Sequence, residues 1–175
     1  SMVSHREGEL FGVLPGVLKD EKDTWSFKQT WDHDHEILQP NYYATYFVDS
    51  EIRTEFTPGK KAGFFKFHFP KKGIKKLKFN ITHSGTWKQG NGNSIEGIEE
   101  LPGMKAYMYG EFNTPVLMEF DIETIVNKRR KTSREQPNAW VRFSDASANT
   151  IAFKYAISYL SMEQAKKNLK NEISD

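Results

Sequence analysis

The chain has 175 residues, enough for one domain with a real core, and its 25 basic and 23 acidic side chains leave a formal net charge of +2. That balance provides no basic field of the kind nucleic-acid binding needs, and the lack of cysteine excludes disulfides, thiolate metal sites and a cysteine nucleophile. No run approaches the roughly 18 apolar residues of a membrane span, and the 14% aromatic content favours strands with aromatic cross-strand pairs.

Ser1-Met2 reads as a cloning remnant, and the residues after it lack the apolar centre of a signal peptide, so 3–175 is taken as one domain. The dominant period along the chain is two, which is the period of strands. Strands are predicted near Glu9–Leu14, Trp25–Trp31 and Tyr42–Val48. Ile52, Thr54 and Phe56 then share one face, as do Phe65, Phe67 and Phe69 before Pro70 ends that strand. Leu77, Phe79 and Ile81 alternate with Lys76, Lys78 and Asn80, so the lysine run from Lys71 reads as the solvated face of a strand. Met104–Met108, Val116–Asp121, Ala139–Phe143 and the long stripe Ile151–Tyr159 bring the expectation to about ten strands. Asp49-Ser50, Pro58-Gly59, Lys72-Gly73, Gly90–Asn93 and Pro102-Gly103 supply the turns. The polar stretch Asn127–Asn138 is expected to be an exposed hairpin loop or a mobile excursion, and Glu99-Glu100 and Asp121–Glu123 solvated charge.

Strands at this spacing with almost no helix between them predict a mainly β fold, an antiparallel β-sandwich or barrel. One helix closes the chain. Ser161-Met162-Glu163-Gln164 fits a capping box, and Ala165, Leu169 and Ile173 form one apolar stripe. A helix of about three turns is marginal alone and must pack on this sandwich or on a following domain.

Little in the chain has the pattern of an active site. In Trp31-Asp32-His33-Asp34-His35-Glu36, a strand would point His33 and His35 the same way, which suits a metal only if a third ligand joins them. The carboxylates Asp32, Asp34 and Glu36 could by type supply the pair that glycoside hydrolysis needs, but spacing alone leaves a polar strand end as the competing reading. Gly85–Asn93 reads as a flexible loop carrying Trp87, either as a sugar-stacking ring or as one packed indole in a long hairpin.

Several longer stretches together resemble the N-terminal domain of glycoside hydrolase family 92. Trp31–Tyr43 is similar to the family's F-S-H-x-x-E-x-A-x-P-G-Y-Y, with Asn41 in place of the glycine. Glu55–Thr57 and Gly63–Pro70 are similar to its second pattern, although Thr57–Lys61 departs from it. Tyr107–Pro115 resembles Y-x-x-x-E-F-x-x-P, and Ile157–Ile173 resembles I-S-x-x-S-x-E-x-A-x-x-N-L-x-x-E-I. The family's glycine-rich opening and its S-H-T-H-L-S-G-x-G stretch have no counterpart here.

The resemblance implies a supersandwich of the galactose-mutarotase-like type that precedes an (α/α)6 catalytic barrel, in a bacterial, inverting, calcium-dependent exo-α-mannosidase of α-1,2 type. It implies that the parent protein is periplasmic or secreted and acts on α-mannosides or N-glycan mannose. Catalytic residues and calcium ligands are then expected in the barrel, and no metal and no catalytic residue in this chain. The barrel is the expected partner, with no nucleic acid and no membrane span. His33, Glu36, Tyr42 and Tyr43 lie on the family motif and, with Trp87, are the candidate substrate-binding residues. The alternative is a free-standing carbohydrate-binding sandwich that relies on Trp87. A third reading, a metal enzyme built on His33 and His35, requires a further ligand.

Overall fold

The computed structural model describes residues 10–20, 29–127, 131–143 and 148–173. Among them are twelve strands in two antiparallel sheets and one α-helix. The strands are β1 Gly12–Leu18, β2 Ile37–Gln39, β3 Tyr42–Phe47, β4 Ile52–Pro58, β5 Ala62–His68, β6 Ile74–Asn80, β7 Ser84–Gln89, β8 Ser94–Leu101, β9 Met104–Phe112, β10 Val116–Asn127, β11 Thr132–Phe143 and β12 Thr150–Ser158. Helix α1 is Met162–Glu172. One sheet has four strands in the order β1-β6-β11-β10, and the other has eight in the order β2-β3-β4-β5-β12-β9-β8-β7.

The core lies where the two sheets face each other. Leu77 and Phe79 of β6 and Ala139 and Val141 of β11 meet Phe67, Met108, Phe112, Ile151 and Phe153 of the larger sheet. Phe153 sits at the centre, with ring centroids 5.1 Å from Phe79 and 4.6 Å from Phe112. Each of these residues occupies alternate positions of its strand, so the period of two places the whole set on one face. Burial then falls off toward one end of the larger sheet. Along β4, Ile52 is buried and Phe56 half-buried, and along β12, Ile151 and Phe153 are buried while Tyr155 and Ile157 are half-buried.

Helix α1 packs on the outer face of the larger sheet. Ala165 and Leu169 are buried, Leu169 lies against Ala62 and Ala156, and Tyr109 and Ile173 flank that cluster. The Ser161 hydroxyl accepts from the Gln164 amide at 3.1 Å, which forms one half of the expected capping box. Gln164 does not reach back; its side chain donates to Asn168 Oδ1 at 2.9 Å. At the other end, the Glu172 carboxylate accepts from the amides of Lys61 and Ala62, which ties the helix to the β4–β5 turn.

Several expectations are corrected. Asn127–Asn138 is strand rather than loop for most of its length, because β10 and β11 pair from Val116↔Phe143 out to Asn127↔Thr132. The lysine run is solvated only in part: Lys71 and Lys72 are exposed. Lys75 and Lys78 are both buried within the interior strand β6, Lys75 donating to Ala148 O at 2.8 Å and Lys78 to Glu123 at 2.7 Å. Asp121 is exposed, as expected, and takes the Trp140 indole N–H at 2.9 Å, while Glu123 is half-buried beside Lys78. Glu99 is fully buried and accepts from His83 N at 2.8 Å and His83 Nδ1 at 2.7 Å. Of the strand expected at Trp25–Trp31, residues 25–28 lie outside the described residues, and Trp31 makes one isolated bridge to Phe47.

Candidate functional site

The motif run does not form a strand. His33–His35 is a single 3-10 turn capped by Asp32, whose side chain accepts from the Asp34 amide at 3.0 Å. With about three residues per turn, neighbours two apart diverge, so His33 and His35 no longer share a face. Each instead finds an acid three residues away: His33 Nδ1 is 3.0 Å from Glu36, and His35 Nδ1 is 3.6 Å from Asp32. The expected strand placement of the two histidines is thereby overturned.

Glu36 follows the turn and links it to the sheet. Its Oε2 meets His33, and its Oε1 accepts from the Tyr43 hydroxyl at 2.6 Å. The Tyr43 bond, then the His33 bond, holds the Glu36 carboxyl below its usual range, so it stays an anionic acceptor. Burial, together with the same carboxylate, pushes the Tyr43 phenol up, so the hydroxyl stays a donor. Trp31 stands edge-on to His33 at 6.2 Å.

The two motif tyrosines part company because adjacent residues of a strand point to opposite faces. Tyr43 pairs with Phe56 and shares its face, the one that carries the core further along. Tyr42 is on the outer face, where its hydroxyl donates to Glu55 at 2.6 Å. Glu55 also bonds His68 Nε2 at 2.6 Å, and Arg53 donates to the Tyr42 oxygen at 3.4 Å. The Tyr42 bond is the chief cause that holds the Glu55 carboxyl low, with His68 and Arg53 adding to it. The structure thus joins His33, Glu36 and Tyr43 in one network and assigns Tyr42 to a second. Glu55, Arg53 and His68 belong to that second network. Alternation would have placed Arg53 and Glu55 on Tyr42's face only once the β3–β4 register was known.

Trp87 is a different case. Its segment is strand β7, not a flexible loop, and Trp87 pairs with Gly97 on the inward face. The indole is half-buried between Phe11 and Phe79 at centroid distances of 5.6 and 5.8 Å, and its N–H donates to Pro137 O at 3.1 Å. A Cβ at position 97 would come within 2.6 Å of this ring, so glycine is needed there for the indole to lie on the strand. Of the two readings of this ring, the structure favours the packed indole: Trp87 lies between the sheets.

No group of three or more His, Asp or Glu among the described residues could hold a metal ion. Calcium takes six to eight oxygen ligands, and in the motif run the Asp32 and Glu36 carboxylates are committed to hydrogen bonds with the Asp34 amide and Tyr43, so the residues present do not fit such a site. Among the described residues no helix is long and apolar enough to cross a membrane.

Comparison with known proteins places this geometry in a family. The sequence model of the glycosyl hydrolase family 92 N-terminal domain matches residues 4–158. The chain belongs to that family, as its N-terminal domain. The fold is similar to that of the family GH92 inverting mannosidase BT2199 from Bacteroides thetaiotaomicron, at TM-score 0.74 and 18% identity over 94% of this chain and 24% of that one. It is also similar to the family GH92 α-mannosidase BT3965 from the same organism, at TM-score 0.73 and 23% identity over 92% of this chain and 26% of that one. The chain thus spans about a quarter of the length of these solved structures. No curated protein matches the sequence.

Proposed function

We propose that this chain is the non-catalytic N-terminal domain of an α-mannosidase of α-1,2 type, packing on a catalytic barrel and helping to shape the mannoside pocket. The observation that carries the reading is the family match over residues 4–158. The fold relatives named as mannosidases are about four times longer than this chain, so the chemistry is assigned to the part they have in addition. Calcium belongs to the parent enzyme, held mainly by that other part. Secretion or a periplasmic location is proposed on the same family grounds, as is a bacterial source.

Within this domain, the Glu36 network is the polar element offered to the pocket. Glu36 is fixed from both sides, by a strand tyrosine and by the histidine of its own turn. The His33 side chain is 80% exposed, so its outer ring nitrogen is available to a sugar hydroxyl. Tyr42 supports the same strand from the outer face through Glu55.

The test is an assay of a longer protein that contains this sequence, beside the chain alone, on an α-1,2-linked mannobiose. The longer protein should release mannose, lose activity to a chelator and regain it with calcium. The chain alone should show no turnover. Turnover by the chain alone that disappears in Glu36→Gln would overturn the reading.

A further inference from the structure

At the end of the larger sheet where burial falls off, the strand ends, the β4–β5 turn and the start of α1 border an open cavity of about 700 Å³. That volume lies within the ~300–1,000 Å³ common for small-ligand sites. Phe56, Tyr155 and Tyr159 bring aromatic rings to it, and Gln164 lines the helix side. Gly63 lies beneath two of these rings. A Cβ there would come 2.7 Å from the Tyr155 ring and 2.8 Å from the Phe56 ring, so glycine allows both rings to settle on the β5 backbone. The rings extend a ladder from the core, with Phe65 at 4.5 Å from Phe56 and 5.9 Å from Tyr155.

Two polar groups at this cavity spend no hydrogen bond on the described residues and so face the opening. The Tyr155 hydroxyl makes no hydrogen bond to any of them, although burial pushes its phenol up and keeps it a neutral donor. Gln164 spends its amide N–H on Asn168, which in turn donates to Ile157 O at 3.0 Å, so the Gln164 carbonyl oxygen remains as an acceptor. Asn168 is buried and oriented by both bonds, which holds Gln164 in place.

We infer that this cavity is a saccharide-binding site of the domain, with a neutral mannose-type oligosaccharide lying over Phe56, Tyr155 and Tyr159 and hydrogen-bonding Tyr155 and Gln164. Sugars combine an apolar C–H face with a rim of hydroxyls, and a set of rings beside a free phenol and a free amide oxygen matches both. Tyr43 stands directly across from Phe56 on the same face, so the site adjoins the Glu36 network. The choice of mannose rests on the proposed function, while the site rests on the cavity itself.

The test titrates this chain with methyl α-mannoside and with a linear α-linked mannotriose, followed by ligand-observed NMR and calorimetry. Saturable binding is expected, at least fivefold tighter for the trisaccharide. Tyr159→Ala and Tyr155→Phe should each weaken it at least fivefold, and the second keeps the ring and so the packing. No saturation by a folded chain overturns the inference, as does binding that both variants leave intact. A chain that binds no saccharide, while Leu160→Lys silences a longer active enzyme, marks the cavity as a seat for another domain and equally overturns it. Because the readout is binding by this chain, it stands apart from the turnover assay, so either proposal can fail without the other.

Discussion

Replacing Trp87 with alanine separates a ring that binds sugar from one that holds the fold. The indole touches Phe11 and Phe79, covers Gly97 and donates to Pro137 O. Burying an aromatic and then truncating it costs about 3–5 kcal/mol, and half-burial puts Trp87 near the lower end, about 3 kcal/mol with its hydrogen bond included. In a chain of this size each kcal/mol moves the melting temperature by roughly 2–4 °C, so Trp87→Ala should melt about 6–12 °C lower. Calorimetry and urea unfolding give the two values, and the urea midpoint should fall with little change in slope. Trp87→Phe, which keeps a ring over Gly97, should recover more than half of the loss. A Trp87→Ala chain that melts within about 2 °C of the parent, well inside that expected shift, yet no longer binds a mannoside would refute the packing argument and restore the ring as a sugar contact.

Further outcomes follow from named contacts. In Tyr43→Phe the Glu36 carboxyl should titrate at higher pH than in the parent, followed by carboxyl-carbon NMR, because its largest lowering contact is gone. Since a depressed carboxyl stabilises the fold above its unfolded pKa and loses that contribution as pH falls through the folded one, the stability gap between parent and variant should be open at neutral pH and close in acid. His83→Ala leaves the fully buried Glu99 with only the backbone amide of residue 83, and should cost about 2–3 kcal/mol in urea unfolding. Ser161→Ala removes the N-cap of α1 and should cost about 1 kcal/mol in the same urea unfolding, whereas Ser161→Asp should retain most of it.

The alternation of Ile52, Thr54 and Phe56, of Phe65 and Phe67, and of the Ile151–Tyr159 stripe is legible in the amino-acid order alone. A strand's side-chain period is a property of the backbone and survives whatever packs on it. The stripe of α1 is legible for the same reason, its 3.6-residue period being local, and so is the hydroxyl half of its cap. The family resemblance is carried by collinear wording rather than by period. What the sequence leaves open is which partner each face meets. Glu99 and Lys78 look like solvated charges in any local window, and only the pairing of β7 with β8 and the placing of β6 between β1 and β11 bury them. The β3–β4 register sends Tyr42 to Glu55 and Tyr43 toward Glu36, although the two are neighbours in the chain. The cavity beside Phe56 is drawn from β4, β12, α1 and a turn, from Phe56 to Asn168, so no short stretch of sequence contains it. Periodicity is written residue by residue, but burial and hydrogen-bond partners are set by strand order and register, which exist only once the chain has closed on itself.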